Sequence, residues 1–287
     1  MSTASWIRMV VLALLWGSGF LWIKLSLTGF SPVHLTVIRC ALGALVLLAL
    51  ARGQRFPRDR TTWRHLVVAA FFCNALPFAL FAIGEQTVDS GVAGVLNATT
   101  PLWALLIGAK DGLRPIRVAG LLVGFAGVLL IFAPWRTAGL VSWGAVAILG
   151  AAASYAVAFA YMGRHLVGRS GPMAISAAQM LAATGLSALA LPLGGPDPGP
   201  TVTAVVAVVV LGVCGTGMTF FLNFRIIADE GATSAATVGY LLPVVSVALG
   251  AAVLGEELGA RIVAGMVVVL VGVALAQSRV RAAVGTG

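Results

Sequence analysis

Long stretches without a charged side chain recur along the whole chain. Between charged residues and Pro/Gly punctuation lie ten apolar runs, at about 7–27, 33–51, 66–84, 91–109, 116–133, 142–162, 173–192, 202–224, 232–254 and 262–277. Each approaches the roughly 20 residues that an α-helix needs to cross a hydrocarbon core about 30 Å thick. In that medium the backbone must satisfy its own hydrogen bonds, and continuous apolar runs of this length predict helices. Ten spans with short connections consume nearly all of the 287 residues. With 60% hydrophobic and 9% charged residues and a mean hydropathy of +1.04, the expected fold class is an all-α polytopic membrane protein of ten transmembrane helices. The first run is too long for the apolar core of a secretion signal and lacks a small-residue cleavage pattern, so it is expected to stay as the first helix.

A formal net charge of +9 would suggest nucleic acid as a partner in a soluble protein. Here it points to basic loops on the cytoplasmic side of a lipid bilayer, and no nucleic-acid partner is expected. With the N-terminus in the cytoplasm, fourteen Lys and Arg residues emerge inside: Arg8, Arg52, Arg55, Arg58, Arg60, Arg64, Lys110, Arg114, Arg117, Arg164, Arg169, Arg225, Arg279 and Arg281. Lys24, Arg136 and Arg261 emerge outside, and Arg39 lies within a span. This asymmetry predicts both termini in the cytoplasm of a multi-pass protein of the bacterial inner membrane. Cys40, Cys73 and Cys214 sit inside apolar runs and act as small hydrophobes. The three histidines, His34, His65 and His165, fall at span ends or in loops and build no metal constellation, so no cofactor is expected.

The chain also repeats itself. Pro32 precedes a run carrying Arg39, and 140 residues later Pro172 precedes a run carrying Gln179 at the same offset. PLWALLIGA from Pro101 matches PVVSVALGA from Pro243 at an offset of 142, and RVAGLLVGFAGVLL from Arg117 matches IVAGMVVVLVGVAL from Ile262 at 145. These pairs predict a duplication into residues 1–137 and 138–287. Five spans per half is an odd number, so the second half enters the membrane in the opposite sense, giving two inverted five-helix repeats. Such repeats are a signature of secondary transporters.

The motif WGSGF (Trp16–Phe20), the proline-centred runs at Pro101 and Pro243, and the GEEL segment (Gly255–Leu258) before a Gly-rich last run follow one another in this order. In this the chain resembles EamA-type members of the drug/metabolite transporter superfamily over nearly its whole length. The resemblance implies an exporter of amino acids, other small metabolites or drugs. It departs from the pattern at Ala109, Lys110, Asp111 and Gly112, where such proteins usually place a Gly-Glu pair.

Polar and aromatic side chains deep in apolar runs are the candidate substrate contacts, because an unsatisfied polar group in hydrocarbon is costly and turns toward a cavity or a neighbouring helix. The first half offers Trp16, Ser18 and Trp22, with Ser18 and Trp22 one helical turn apart, then Asn74, Asn97, Pro101 and Trp103. The second half offers Ser154, Tyr155, Phe159, Gln179, Asn223, Tyr240 and Pro243. The structural alternatives are an interfacial tryptophan, a hydroxyl bonded to its own backbone, interhelical hydrogen bonding and a packing kink. Arg39 lies about 9 Å into its helix. It either receives a substrate carboxylate, snorkels to the interface, or pairs with a neighbouring helix, for example through Glu85.

The nine acidic residues, Asp59, Glu85, Asp89, Asp111, Asp197, Asp229, Glu230, Glu256 and Glu257, all fall at or near span ends. A site without a mid-span carboxylate disfavours proton-driven export of cationic drugs. The expected function is therefore export of neutral or aromatic amino acids by alternating access through a central cavity, either uncoupled or weakly coupled through a span-end acid. A multidrug, sugar or nucleotide-metabolite exporter is the alternative. An intramembrane enzyme built on Ser18 would need a histidine within reach, and a non-transporting scaffold would be packed throughout. Two fused halves make a monomer sufficient.

Overall fold

The computed structural model describes residues 3–107, 115–132, 142–230, 238–239, 241–257 and 259–277. Among them all regular elements are helical. The first run divides at Ser18 into α1 (Thr3–Gly17) and α2 (Gly19–Ser26), and α3 (Pro32–Leu50) follows. A π-helical turn, Phe71–Ala75, joins α4 (Arg60–Ala70) to α5 (Leu76–Gly84). Next come α6 (Ser90–Asn97), α7 (Thr100–Ile107), α8 (Pro115–Phe132), α9 (Trp143–His165) and α10 (Pro172–Ala188). A second π-helical turn, Val213–Met218, joins α11 (Val202–Gly212) to α12 (Thr219–Glu230), before α13 (Leu242–Leu254) and α14 (Ala260–Gln277).

Five segments are long and apolar enough to cross a membrane: Ser5–Ser26, Pro32–Leu50, Arg60–Gly84, Trp143–His165 and Val202–Asn223. Val118–Ile131, Leu242–Leu254 and Ala260–Leu275 are shorter apolar helices. The run expected as a single span at 91–109 breaks between α6 and α7, and the segment expected to span at 232–254 contributes α13 from Leu242 onward. The helices begin where local chemistry allows it. Ser31 accepts the His34 N–H with Pro32 at the first helical position, Asp59 accepts the Thr62 N–H at 2.7 Å, and Thr201 accepts the Ala204 N–H at 3.1 Å.

The surface is apolar where a soluble protein would be charged. Leu14, Leu45, Leu122, Leu129, Val206 and Val267 all face outward, more than half exposed, a pattern that requires a hydrocarbon environment. The interior is lined by small residues instead: Ala151, Ala152, Ala174, Ala177, Ala178 and Ala183 are fully buried. With lipid outside, helices associate through close van der Waals contact. The extreme case is α8 against α14, where a Cβ added at Gly272 would stand 2.2 Å from the Gly124 nitrogen and one added at Gly127 would stand 2.6 Å from the Val269 nitrogen. The other main pairings are α3 with α10, α6 with α13, α5 with α9, and α1 and α2 with α12 and α11 respectively.

The ends of the bundle differ. One carries residues 26–31, 85–90, 190–201 and 255–257, tied by Ser31 N–H to Asp197 at 2.7 Å and by Ser90 N–H to Glu256 at 2.7 Å. The other is the arginine-rich end, where Arg8 pairs with Asp229, the Ser170 hydroxyl donates to the Arg55 carbonyl at 3.0 Å, and His65 stacks on His165 at 4.6 Å.

Candidate functional site

A π-turn inserts one residue into the α-helical register and leaves carbonyls without their usual partner. In the first turn the Phe72 carbonyl is taken by the Ser154 hydroxyl of α9 at 2.7 Å, and Asn74 is turned fully inward. Its side-chain oxygen accepts from the Gln179 amide of α10 at 2.7 Å. The Asn74 amide nitrogen and the Gln179 amide oxygen remain buried without a partner among the described residues. Two amides therefore link the helices and keep one donor and one acceptor in reserve.

Arg39 is placed beside this pair by the same kind of device. The second π-turn brings Thr216 to α3, where its hydroxyl donates to the Leu211 carbonyl at 3.0 Å and accepts from Arg39 Nε at 3.0 Å. The guanidinium lies 3.6 Å from the centre of the Phe78 ring, a cation–π contact strengthened by burial. Arg39 is only 8% exposed, so it does not snorkel, and it forms no ion pair with Glu85. Its terminal amino groups form no hydrogen bond with a described residue.

Tyr155 lies alongside, joined edgewise or stacked in a row Phe20, Phe81, Tyr155, Phe159 with centroid separations of 5.5, 6.1 and 6.0 Å. Phe159 ends this row more than half exposed on the outer surface, so it faces lipid and not an internal site. Asn74, Gln179 and Ser154 thus meet at the first π-turn, with Arg39 one helical turn further on at Phe78 and Tyr155 at Phe81 of the same helix.

The helix-1 and helix-4 candidates stand apart from these. The Ser18 hydroxyl donates to the Leu15 carbonyl at 3.1 Å and accepts from Trp22 Nε1 at 3.2 Å, which holds the break between α1 and α2. Trp16 packs on Met9, Leu12, Ala13 and Ile226. Trp103 donates to the Thr99 hydroxyl at 3.2 Å and meets Phe125 edge-on at 5.2 Å. Asn97 ends α6 with its side-chain oxygen buried and unpartnered, and Pro101 lies in the first turn of α7. Pro243 is buried at the start of α13, and its carbonyl accepts from the Ser246 hydroxyl at 3.0 Å. Asn223 is half-buried on α12. Tyr240 lies outside the described residues, as do Ala109, Lys110, Asp111 and Gly112.

No histidine reaches Ser18: His34 contacts Ser31 and Asp197, and His65 contacts Tyr161. No metal-binding group of His, Cys, Asp and Glu exists among the described residues. Two cavities lined by described residues lie at the two ends of the bundle. One of about 350 Å³ opens beside Arg60, Trp63, Arg64 and Val67, and one of about 10 Å³ lies among Asp89, Gly91, Val247 and Glu256.

Sequence reasoning missed Thr216 and Phe78, and named Glu85 only as a span-end acid and an alternative partner of Arg39. Thr216 carried a signal in its Gly-rich surroundings, VCGTGM, where helical register is weakest. Glu85 was counted as a span-end acid, yet it is fully buried with both carboxyl oxygens unpartnered.

Comparison with known proteins places these features in a family. The chain is 28% identical over 254 residues to the uncharacterized inner membrane transporter YedA of Escherichia coli K12, covering 86% of this chain and 82% of YedA. It is 25% identical over 279 residues to an uncharacterized transporter of Archaeoglobus fulgidus, covering 93% and 96%, and 27% identical over 252 residues to the uncharacterized transporter YdfC of Bacillus subtilis, covering 84% and 80%. One crystal structure of a protein 25% identical in sequence superposes with a TM-score of 0.67 over 96% of this chain and 97% of its own. The model of the EamA-like transporter family matches twice, over residues 4–133 and 142–277. Apolar helices, two successive family matches and relatives that are transporters agree, and the chain belongs to the EamA-like transporter family of multi-pass membrane proteins.

Proposed function

We propose that this transporter exports neutral or aromatic amino acids by alternating access between two inverted five-helix halves, residues 1–137 and 138–287, as a monomer spanning the inner membrane ten times. The arginine-rich end with both termini faces the cytoplasm. The observation that carries the reading is the buried polar group of Arg39, Asn74, Gln179 and Ser154 across the α3·α10 and α5·α9 contacts. It offers a cation and the spare Asn74 N–H for a carboxylate, the spare Gln179 oxygen for an amine, and the Tyr155 ring for an apolar side chain. No carboxylate among the described residues bonds to that group, which suits a zwitterion better than a cationic drug.

Several features support the inverted arrangement. The two π-turns begin at Phe71 and Val213, separated by the same 142 residues as Pro101 and Pro243. The helix pairings are also those of a two-fold exchange: α3 meets its counterpart α10, α8 meets its counterpart α14, the fourth predicted span meets the ninth through α6 and α13, and the contact of α5 with α9 mirrors that of α12 with α1. Such halves can rock about a shared centre.

The test is exchange of labelled phenylalanine, leucine, serine and lysine by proteoliposomes preloaded with the same unlabelled amino acid, with W16A and R39A variants in parallel. Exchange of phenylalanine or leucine above empty liposomes, reduced at least tenfold by R39A, is expected. Absence of exchange for the whole panel would remove the amino-acid assignment and leave sugars and nucleotide metabolites as the next substrates.

A further inference from the structure

Glu85 is the residue immediately past the Arg60–Gly84 span, and it is 0% exposed. Its backbone carbonyl accepts from the Lys24 ammonium at 2.7 Å, and the same ammonium reaches the Val88 carbonyl at 2.9 Å. The Glu85 carboxyl itself has no hydrogen-bond partner on either oxygen and no ion pair among the described residues. A carboxylate removed from water in this way loses its hydration with nothing in return, whereas a neutral carboxyl loses far less.

The groups facing it do not reverse this. Lys24 on α2 directs two of its three N–H donors to the two carbonyls and none to the carboxyl, and Arg39 on α3 bonds Thr216 and covers the Phe78 ring. Glu256, which follows α13, adds a like charge, and α9 contributes Tyr155, packed on Phe81 one turn before Glu85. Asp89, on the same connection as Glu85, points to the surface.

The same end is closed by contacts that cross from one half of the chain to the other. Glu256 accepts from the N–H groups of Ser90 at 2.7 Å and Gly91 at 3.0 Å. Its carboxylate reaches them over Gly250, where a Cβ would stand 2.2 Å from Glu256 Oε2. Val247 of α13 seals against Gly91 in the same layer. An opening of this end would have to break the Glu256 cap.

We propose that Glu85 is a proton-binding site whose occupancy is tied to closure of this end of the transporter, so that each closing takes up one proton and each opening releases it. The inference rests on the transporter reading, since it needs an end that opens. It takes up the span-end-acid alternative of the sequence reading and names the acid. The sign follows from linkage: the closed form binds more protons than the open form, so closure is favoured at low pH and lost as pH rises.

The test needs no substrate, so it stands or falls separately from the amino-acid assignment. A cysteine is placed at Val247 (V247C) in the full chain, reconstituted in liposomes, and its labelling by a membrane-impermeant maleimide is followed from pH 5.5 to 8.5. Rates are normalised to the same cysteine in denatured protein, which removes the intrinsic pH dependence of the thiol. Labelling is expected to rise with pH, by up to about tenfold per pH unit for a single linked proton. In the V247C/E85Q double variant it stays slow and flat, because glutamine mimics the neutral acid; in V247C/E256Q the slope persists. A flat V247C profile overturns the proposal whatever becomes of E85Q. So does an unchanged slope in E85Q, or a slope abolished by E256Q alone, which would assign the proton to Glu256.

Discussion

Replacing Gly272 by alanine tests whether α8 and α14 are held together by backbone-to-backbone contact. The added Cβ would stand 2.2 Å from the Gly124 nitrogen, 2.4 Å from its Cα and 2.8 Å from the Gly120 carbonyl oxygen. Ordinary contacts begin near 3.4 Å, so the helices must separate locally by about 1.2 Å. A methyl carbon has no rotamer through which to escape, and every obstructing atom is backbone. A gap of roughly 0.5–1 Å already forfeits a quarter to a half of each dispersion well along the contact, and overpacking of this kind costs about 1–3 kcal/mol. Alanine recovers a part of that through helix propensity, at most about 1 kcal/mol. The net expectation is a loss of about 1–2 kcal/mol, or roughly five- to thirty-fold in the folded-to-unfolded ratio. The assay is reversible unfolding by SDS in mixed micelles, read by tryptophan fluorescence. Gly185→Ala in α10 is the control, because nothing lies within 4 Å of its Cβ position, and it should be neutral or slightly stabilising. If G272A unfolds within about 0.3 kcal/mol of both wild type and control, close glycine packing is not what joins these helices.

Two further outcomes follow from single hydrogen bonds. Ser154→Ala strips the Phe72 carbonyl of its donor and should cost about 1–3 kcal/mol in the same assay, with Ser154→Thr restoring most of it; equal stability of both variants would mean that the π-turn carbonyl finds another partner. At the opposite end of α3, the Ser31 N–H and the His34 ring hold the Asp197 carboxyl below its ordinary value of 3.8. Its contribution is complete above pH 3.8 and is lost as pH falls through the lower folded value, so the difference in melting temperature between wild type and Asp197→Asn should be constant from pH 6 to 4 and close toward pH 2.5.

The sequence reading succeeded where composition and length carry the physics. Hydropathy identifies helices such as α3 and α9 because lipid leaves the backbone little alternative. It failed at the joints. Nothing apolar distinguishes Ser18 or the segment between Asn97 and Thr100 from the helices around them, since a break there is stabilised by specific hydrogen bonds from Trp22 and Trp103. Arg39, Asn74 and Gln179 were legible as polar groups in apolar runs, but their partners were not. Thr216 is reached only because a π-turn rotates it toward α3, and the glycines on either side of it are the one trace of that turn in residue type. Glu85 illustrates the opposite error. Position at a span end suggests exposure, whereas the Lys24 and Glu256 contacts fold the connection over it.

The π-turns also decide which mutations the chain can absorb. Deleting one residue from the regular α-helix on either side of Phe71–Ala75 would swing α4 against α5 by about 100°, whereas deleting one inside the turn removes the inserted residue and lets the two helices join in nearly their present orientation. In the first case Phe78 would leave Arg39 or Phe81 would leave Phe20, although every remaining residue and the hydropathy of the span would be nearly unchanged. At this depth the number of residues is under tighter constraint than their identity, and a library of single-residue deletions across Arg60–Gly84 should keep the most folded protein at Phe71–Ala75 and lose it on both sides of the turn.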